Sequence, residues 1–206
     1  MLIYDCEIVK AIPPRKESER LIGIEYAGDG WDLSDLGISV ICAYDYQQDR
    51  YRVFCKDNFL EFQVLVDSAE VIISFNGLAF DNRLCQANEL SVPDEKSYDL
   101  LVEVWDAAGL APKYQYPSHA GFSLDACVKA NFLNEAKSGH GAAAPVQWQR
   151  GKIGSVIDYC LQDVRLTKML VDKVIREGYL NNPKESGMLK MRKPRIRDLD
   201  NGSENN

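Results

Sequence analysis

A tyrosine and an aspartate lie four residues apart in the segment SVIDYCLQDVRLT, residues 155–167. Apolar residues recur at helical spacing through this segment, which predicts a helix from about 151 to 179. Positions i and i+4 lie one above the other on a helix, so the phenol of Tyr159 and the carboxylate of Asp163 should point to the same region. The pair therefore predicts a site that uses both groups.

Two further carboxylates occur in the segment YDCEI near the start of the sequence. Asp5 and Glu7 are two residues apart on a predicted strand over residues 1–9, which places them on the same face. Their neighbours are apolar, and two carboxylates that face an interior are costly unless a cation lies between them. We therefore expect a divalent metal ion beside this strand.

Another carboxylate ends the segment FNGLAFD, residues 75–81, in which an apolar strand over 70–76 passes into a predicted helix over about 78–90. Asp81 should then lie near the carboxyl edge of the sheet, where α/β proteins commonly bind ligands. With the three acidic residues above, it completes a set of oxygen ligands from separate segments. Such ligands suit Mg²⁺ or Mn²⁺ better than zinc.

Together these segments resemble the three exonuclease motifs of the DEDD superfamily of 3′-to-5′ exonucleases. The patterns are Asp5-x-Glu7, Asn76-x-x-x-Phe80-Asp81 and Tyr159-x-x-x-Asp163, and each occurs once in the chain, in the family's order. The tyrosine resembles the DEDDy branch, which is similar to the exonuclease domain of family-B DNA polymerases and its stand-alone relatives. The likeness covers roughly residues 1–175.

The resemblance implies a ribonuclease H-like fold and a two-metal-ion mechanism. An enzyme of this kind removes nucleotides from the 3′ end of single-stranded nucleic acid, with DNA favoured over RNA, and releases nucleoside 5′-monophosphates. Asp5 is expected to bridge two divalent cations, Mg²⁺ or Mn²⁺, while Glu7 and Asp163 complete one metal site and Asp81 supports the other. An unperturbed phenol, with a pKa of about 10, is a poor general base at neutral pH, so Tyr159 is expected to orient the attacking water.

Several other side chains are candidates for contact with substrate. Asn76 and Phe80 are candidate substrate-binding residues, although Asn76 could instead brace the strand-to-helix turn and Phe80 could pack in the core. His119 precedes Asp125 by six residues, whereas the sister DEDDh branch has five, so we interpret it as unrelated to the site. His140 lies in a Gly/Ala-rich loop that favours exposure. Trp31, Tyr26 and Tyr44 are possible platforms for unpaired bases.

The predicted elements that position these residues form a mixed β-sheet flanked by α-helices, an α/β fold. We expect one domain over residues 1–180, with an insertion at about 10–36 that is rich in Pro, Gly and charge, followed by a polar, flexible tail over 181–206. Further strands are predicted at 37–46 and 50–55, and further helices at 58–68, 97–109 and 123–133.

Composition is consistent with a globular enzyme. The 206 residues are 46% hydrophobic and 27% charged, and from the apolar start and the lack of a long apolar span we expect a soluble protein that is not secreted. Six cysteines at wide spacing, with no CxxC pair, favour a reducing cytoplasm. The net charge of −7 argues mildly against a broad basic surface, but acidic residues gathered around cations are compatible with a nucleic-acid substrate.

Two other interpretations are open at this point. The chain could be a non-catalytic ribonuclease H-like module that binds nucleic acid or a protein, or an enzyme that cleaves another phosphodiester, such as a dinucleotide. The intact acidic set favours catalysis, because a degenerate site is expected to lose ligands.

Overall fold

A five-stranded mixed sheet forms the centre of the computed structural model, which describes residues 1–28, 32–136 and 141–195. Its strands are β1 (Leu2–Ile8), β2 (Ile38–Asp45), β3 (Arg50–Phe54), β4 (Ile72–Ser74) and β5 (Ser97–Asp99). They are arranged in the order β3-β2-β1-β4-β5, with β1 antiparallel to β2 and parallel to β4. The central strand is therefore the one that carries the first pair of acidic residues.

Helices cover both faces of this sheet. Within the described residues they are α1 (Leu33–Leu36), α2 (Phe59–Ser68), α3 (Asp81–Ala87), α4 (Leu100–Ala107), α5 (Leu124–Asn131), α6 (Ala144–Gln149) and α7 (Ile153–Glu177). None of these described helices combines the length and the apolar character needed to cross a membrane.

The side chains of β1 alternate between two hydrophobic clusters, because successive residues of a strand point to opposite faces. Ile3 packs in the cluster that includes α4, α5 and α7. Tyr4 and Cys6 pack in the other cluster, which α2 and α3 cover. Asp5 and Glu7 share the face of Ile3 and therefore lie under α7.

Helix α7 packs its apolar stripe against β1 and β2. Its buried positions recur at spacings of three and four residues, as the sequence pattern predicts for one face of a helix. The helix ends at Gly178, whose φ of 77° is left-handed and whose N–H donates to Val174 O at 2.8 Å. The buried residues of the stripe are Val156, Tyr159, Cys160, Asp163, Val164, Leu166, Thr167, Leu170, Val171 and Val174.

Two predicted elements differ from the structure. The segment predicted as a helix over 97–109 begins with strand β5, and its helix starts at Leu100. A three-residue strand buried in a parallel sheet has an apolar pattern too short to separate from the start of a helix. Helix α6 falls partly in a segment predicted as a loop.

The insertion at 10–36 is fastened to the domain rather than extended from it. Ala11 and Tyr26 form an isolated bridge within the insertion, while Ala27 and Leu36 pack in the cluster under α2 and α3. The side-chain amide of Gln149 donates to Val9 O at 2.9 Å and to the backbone oxygen of the insertion at residue 25, at 3.0 Å. This amide therefore links the insertion to α6.

The described part of the segment predicted as a flexible tail, from residue 181, contains most of a hairpin. Strands β6 (Tyr179–Asn181) and β7 (Met188–Lys190) form an antiparallel hairpin, and Leu180 and Leu189 are buried against the cluster under α7. Arg192 forms an ion pair with Glu103. A few apolar residues in a polar segment are enough to dock it, because Leu180, Leu189 and Met191 face the core. Residues 196–206 lie outside the described residues.

Candidate functional site

Three of the predicted metal ligands come together where α7 crosses β1. Asp5, Glu7 and Asp163 each offer a carboxylate oxygen, and these oxygens all lie within 4.8 Å of one another. Glu7 and Asp163 are buried and Asp5 is half-buried. Oxygens at this separation can share one cation, because hard divalent cations bind oxygen at about 2.0–2.6 Å.

Asp81 lies beside this group of three but is not a member of it. It is buried at the start of α3, and its Oδ1 accepts a hydrogen bond from the backbone N–H of Cys6 at 3.1 Å. Burial raises the pKa of Asp81 to about 7; the N–H of Cys6 lowers it, and the charges of Asp99 and Asp163 raise it. A bound cation would reverse the electrostatic contribution and favour the ionised carboxylate.

The turn that leads into Asp81 is held by a residue that the sequence analysis did not identify as part of the site. The carboxylate of Asp99 accepts hydrogen bonds from the N–H groups of Asn76 at 2.8 Å, Leu78 at 3.0 Å and Leu101 at 3.0 Å. Asp99 is buried, which raises the pKa of its carboxyl against the lowering effect of these bonds. It fixes the N-terminus of α4 and the turn after β4 at once.

Backbone geometry explains the residue types in this turn. Asn76 has a φ of 73°, a left-handed conformation that asparagine tolerates better than most residues. A Cβ on Gly77 would lie 2.0 Å from Ser74 Oγ, so the chain passes too close to β4 for any side chain. The expectation that Asn76 braces this turn fits its backbone, while its position on the wall of the site leaves it accessible to a ligand.

Tyr159 lies one turn of α7 before Asp163 and is 8% exposed. A Cβ on Gly141 would lie 3.5 Å from the Tyr159 hydroxyl, so the segment at 141 passes directly over the phenol. Phe80 is half-buried and packs against the cluster under α2 and α3. Its packing agrees with the core alternative, although it also reaches the site.

All seven predicted site residues line a single cavity of about 320 Å³. Three separate segments of the chain supply them, and the segment around α6 closes the opposite wall. The cavity is lined by Asp5, Cys6, Glu7, Ile8, Ile12, Phe75, Asn76, Phe80, Asp81, Gly141, Ala142, Pro145, Tyr159 and Asp163.

The remaining histidine and aromatic candidates lie elsewhere. His119 is buried, with Nε2 2.8 Å from Ala111 O, in the wall of a second cavity. Tyr44 is a buried core residue with the Lys168 ammonium 4.6 Å from its ring, so the interpretation as a base platform is wrong. The Tyr26 ring faces Arg20 at 5.2 Å. Trp31 and His140 lie outside the described residues.

The chain was compared with known proteins in sequence and in structure. No protein-family model matches the chain, and no curated protein matches it significantly. The family B DNA polymerase from the hyperthermophilic archaeon Pyrobaculum calidifontis is similar in structure, with a TM-score of 0.56 and 16% sequence identity. The fold is ribonuclease H-like. The comparison thus confirms the predicted mixed α/β sheet flanked by helices.

The likeness extends over most of this chain but only a part of the polymerase. It covers 84% of the chain and 24% of the polymerase chain. At this identity it shows the fold alone, and any activity has to be argued from the site.

Proposed function

We propose that the chain is a metal-dependent 3′-to-5′ exonuclease of the DEDDy kind, acting on single-stranded nucleic acid, DNA in preference to RNA, and releasing nucleoside 5′-monophosphates. The observation that carries the proposal is the convergence of all seven predicted residues, from three distant segments, on one cavity. A fold like that of a DNA polymerase agrees with a nucleic-acid substrate.

The donor set fits divalent cations. Asp5, Glu7 and Asp163 present oxygen atoms close enough to share an ion, and Asp81 stands beside them on the same cavity. When bound, a pair of Mg²⁺ or Mn²⁺ ions would supply Lewis-acid activation of water and neutralise charge on the phosphodiester oxygens. Gathering these carboxylates without a cation is costly, because like charges in a buried site repel one another.

The chain's own residues orient the reaction around this set. The Tyr159 hydroxyl, one helical turn from Asp163, would hydrogen-bond and orient the attacking water, because a phenol is a poor general base at neutral pH. Phe80, on the same wall as Asp81, would contact the departing nucleoside. Asn76, held by the Asp99 carboxylate, would contact the strand at the edge of the cavity.

The size of the cavity supports removal of one nucleotide at a time. At about 320 Å³ it lies at the lower end of the range for small-molecule sites, about 300–1,000 Å³, which suits a single nucleoside. Pro145 and Ile12 also line it, so α6 and the insertion contribute to its wall.

A labelled-strand assay tests the proposal. Purified protein is incubated with 5′-labelled single-stranded DNA, duplex DNA and RNA of one sequence, with Mg²⁺ or Mn²⁺ and with an EDTA control. We expect a ladder that shortens from the 3′ end on single strands, most rapidly on DNA, and none in EDTA. Asp5→Ala should abolish the ladder, whereas Asp57→Ala, which removes an exposed carboxylate in a turn, should retain it.

The other outcomes separate the competing interpretations. Full activity in Asp5→Ala would remove the metal assignment. No divalent binding by calorimetry in the millimolar range, together with no ladder, would indicate a non-catalytic binding module. Cleavage confined to the shortest member of a substrate-length series would indicate a dinucleotide phosphodiesterase.

A further inference from the structure

A second cavity, of about 670 Å³, adjoins the acidic site. The two cavities share Asp5, Phe75, Asn76 and Asp163 in their walls. The shared acidic residues therefore lie between a smaller cavity and a larger one. A phosphodiester at these residues has a nucleoside on each side, so its flanking groups would enter both cavities.

Aromatic rings form much of the part of the larger cavity's wall that does not also line the smaller cavity. The Trp105 and His119 rings pack edge to face with centroids 4.7 Å apart, and the Tyr114 centroid is 6.3 Å from that of Trp105. Trp105 is 5% exposed, whereas Tyr114 is 59% exposed and presents its ring to a ligand. Such rings accept any base, because every base has a π-face.

The indole of Trp105 adds a polar group to this wall. Its Nε1–H is buried and has no hydrogen-bond partner among the residues that the structure describes. A buried indole N–H normally has a partner, so a ligand acceptor would satisfy it.

A cation lies against two residues that line the same cavity. Lys184, in the loop between β6 and β7, donates from Nζ to Ser118 O at 2.8 Å and lies 5.0 Å from the centroid of the Phe122 ring. Phe122 and Gly121 both line the cavity, and a Cβ on Gly121 would lie 3.2 Å from Lys184 Cγ. An ammonium has three N–H donors, so the bond to Ser118 leaves donors for a phosphate.

We propose that this aromatic cavity binds the nucleotide immediately 5′ of the scissile phosphate. Its base stacks on Tyr114 beside Trp105, and its 5′ phosphate is near Lys184. The inference rests on the proposed function and narrows its substrate: the preferred strand carries a base at the penultimate position, while the smaller cavity receives the terminal nucleoside. Aromatic rings beside an ammonium suit a nucleotide, which offers both a base and a phosphate, better than an acidic or purely apolar peptide.

A double-mutant cycle between protein and substrate tests this contact. The substrates are hexathymidylate and the same strand with an abasic residue at the penultimate position; the protein is wild type or Tyr114→Ala. In the wild type, loss of the penultimate base should lower kcat/KM about 10-fold, within the range measured for base stacking on aromatic residues. In Tyr114→Ala the intact strand should lose a similar factor, and removal of the base should then have little further effect.

Matched controls distinguish loss of the contact between Tyr114 and the base from a general effect on folding. Tyr114→Phe keeps the ring and should restore the sensitivity to the missing base. Tyr51→Ala removes an exposed tyrosine of β3, outside both cavities, and should leave that sensitivity as in the wild type. An abasic residue at the 5′ end of the hexamer is the substrate control.

Binding is measured with the same strands, fluorescein-labelled at the 5′ end, by anisotropy in Ca²⁺ and in EDTA. Coupling between Tyr114 and the penultimate base in kcat/KM or in Kd supports the proposal. Equal losses in both proteins, or no binding of hexathymidylate by the wild type, would overturn it. Absence of hydrolysis with intact coupling in Kd would instead reject the proposed exonuclease activity and keep the binding site.

Discussion

The carboxylate of Asp81 accepts a hydrogen bond from the backbone N–H of Cys6, although the two residues are 75 positions apart in the chain. Cys6 stands between Asp5 and Glu7 on the central strand, so this bond ties the start of α3 to the strand that carries the first two acidic residues. The relative position of the three carboxylates is therefore set by the backbone and not by flexible side chains alone.

Burial of Asp81 should make the metal-free protein less stable as pH rises. Its pKa is about 7 in the folded protein, above the unfolded value of about 3.9, so the folded state keeps a proton that the unfolded state loses. Between pH 4 and pH 7 the wild type should lose stability relative to Asp81→Asn by up to about 1.4 kcal/mol per pH unit. Urea unfolding in EDTA at several pH values measures this difference, and parallel profiles for the two proteins would contradict it.

Tyr159→Phe should reduce turnover while leaving metal binding intact. The substitution removes the hydroxyl that would orient water but none of the carboxylates, so kcat should fall roughly 10-fold or more. Because all the carboxylates are kept, the metal affinity measured by calorimetry should change less than twofold, which corresponds to about 0.4 kcal/mol. The control is Tyr46→Phe, which removes a hydroxyl bonded to Asp172 at 2.7 Å outside both cavities. Equal loss of activity in both variants would argue against a role in the site.

Asp99→Asn should loosen the turn that presents Asn76. The amide replaces one of two accepting oxygens with a donor, which opposes the backbone N–H groups that Asp99 now satisfies. The free energy of unfolding should fall by about 1–3 kcal/mol, and kcat/KM for single strands should fall with it. Chemical denaturation and strand hydrolysis measure the two effects. Asp106→Asn, on the exposed face of the same helix α4, should change neither.

The C-terminal hairpin should contribute to global stability. Leu189 is 5% exposed and Met188 is 67% exposed on the same strand, β7. Leu189→Ala should lower the free energy of unfolding by about 2–5 kcal/mol, whereas Met188→Ala should stay within about 0.5 kcal/mol of the wild type. Thermal or urea unfolding distinguishes them, and similar stability for both variants would mean that the hairpin is not docked in solution.

Local patterns were sufficient to predict the acidic site. The spacing of Asp5 and Glu7 follows from strand periodicity, and that of Tyr159 and Asp163 from helix periodicity, so each pair could be assigned to one face before its partner was known. The strand that precedes Asp81 was long and apolar enough to predict its place at the sheet edge. The resemblance to one family then linked the three segments.

Contacts formed between distant segments could not be read in this way. Asp99 supports the site through backbone N–H groups of another turn, and no side-chain pattern marks such acceptors. Trp105 and Tyr114 are in contact because the segment after α4 folds back over the helix. In the sequence, each of them is indistinguishable from an ordinary core or surface residue. Lys184 contacts Gly121 and Phe122 of the same cavity wall from a hairpin whose short strands show too weak an alternation to be recognised in the sequence.

The seven residues of β1 encode the acidic site and the second core at alternating positions. A slip of β1 by one residue in its pairing with β2 and β4 would exchange the two faces. The carboxylates would then turn toward α2 and α3, and the phenol of Tyr4 and the thiol of Cys6 toward α7. The strand therefore cannot tolerate a change of register, even where single substitutions are accepted. One such change would displace the metal ligands and a hydrophobic layer together.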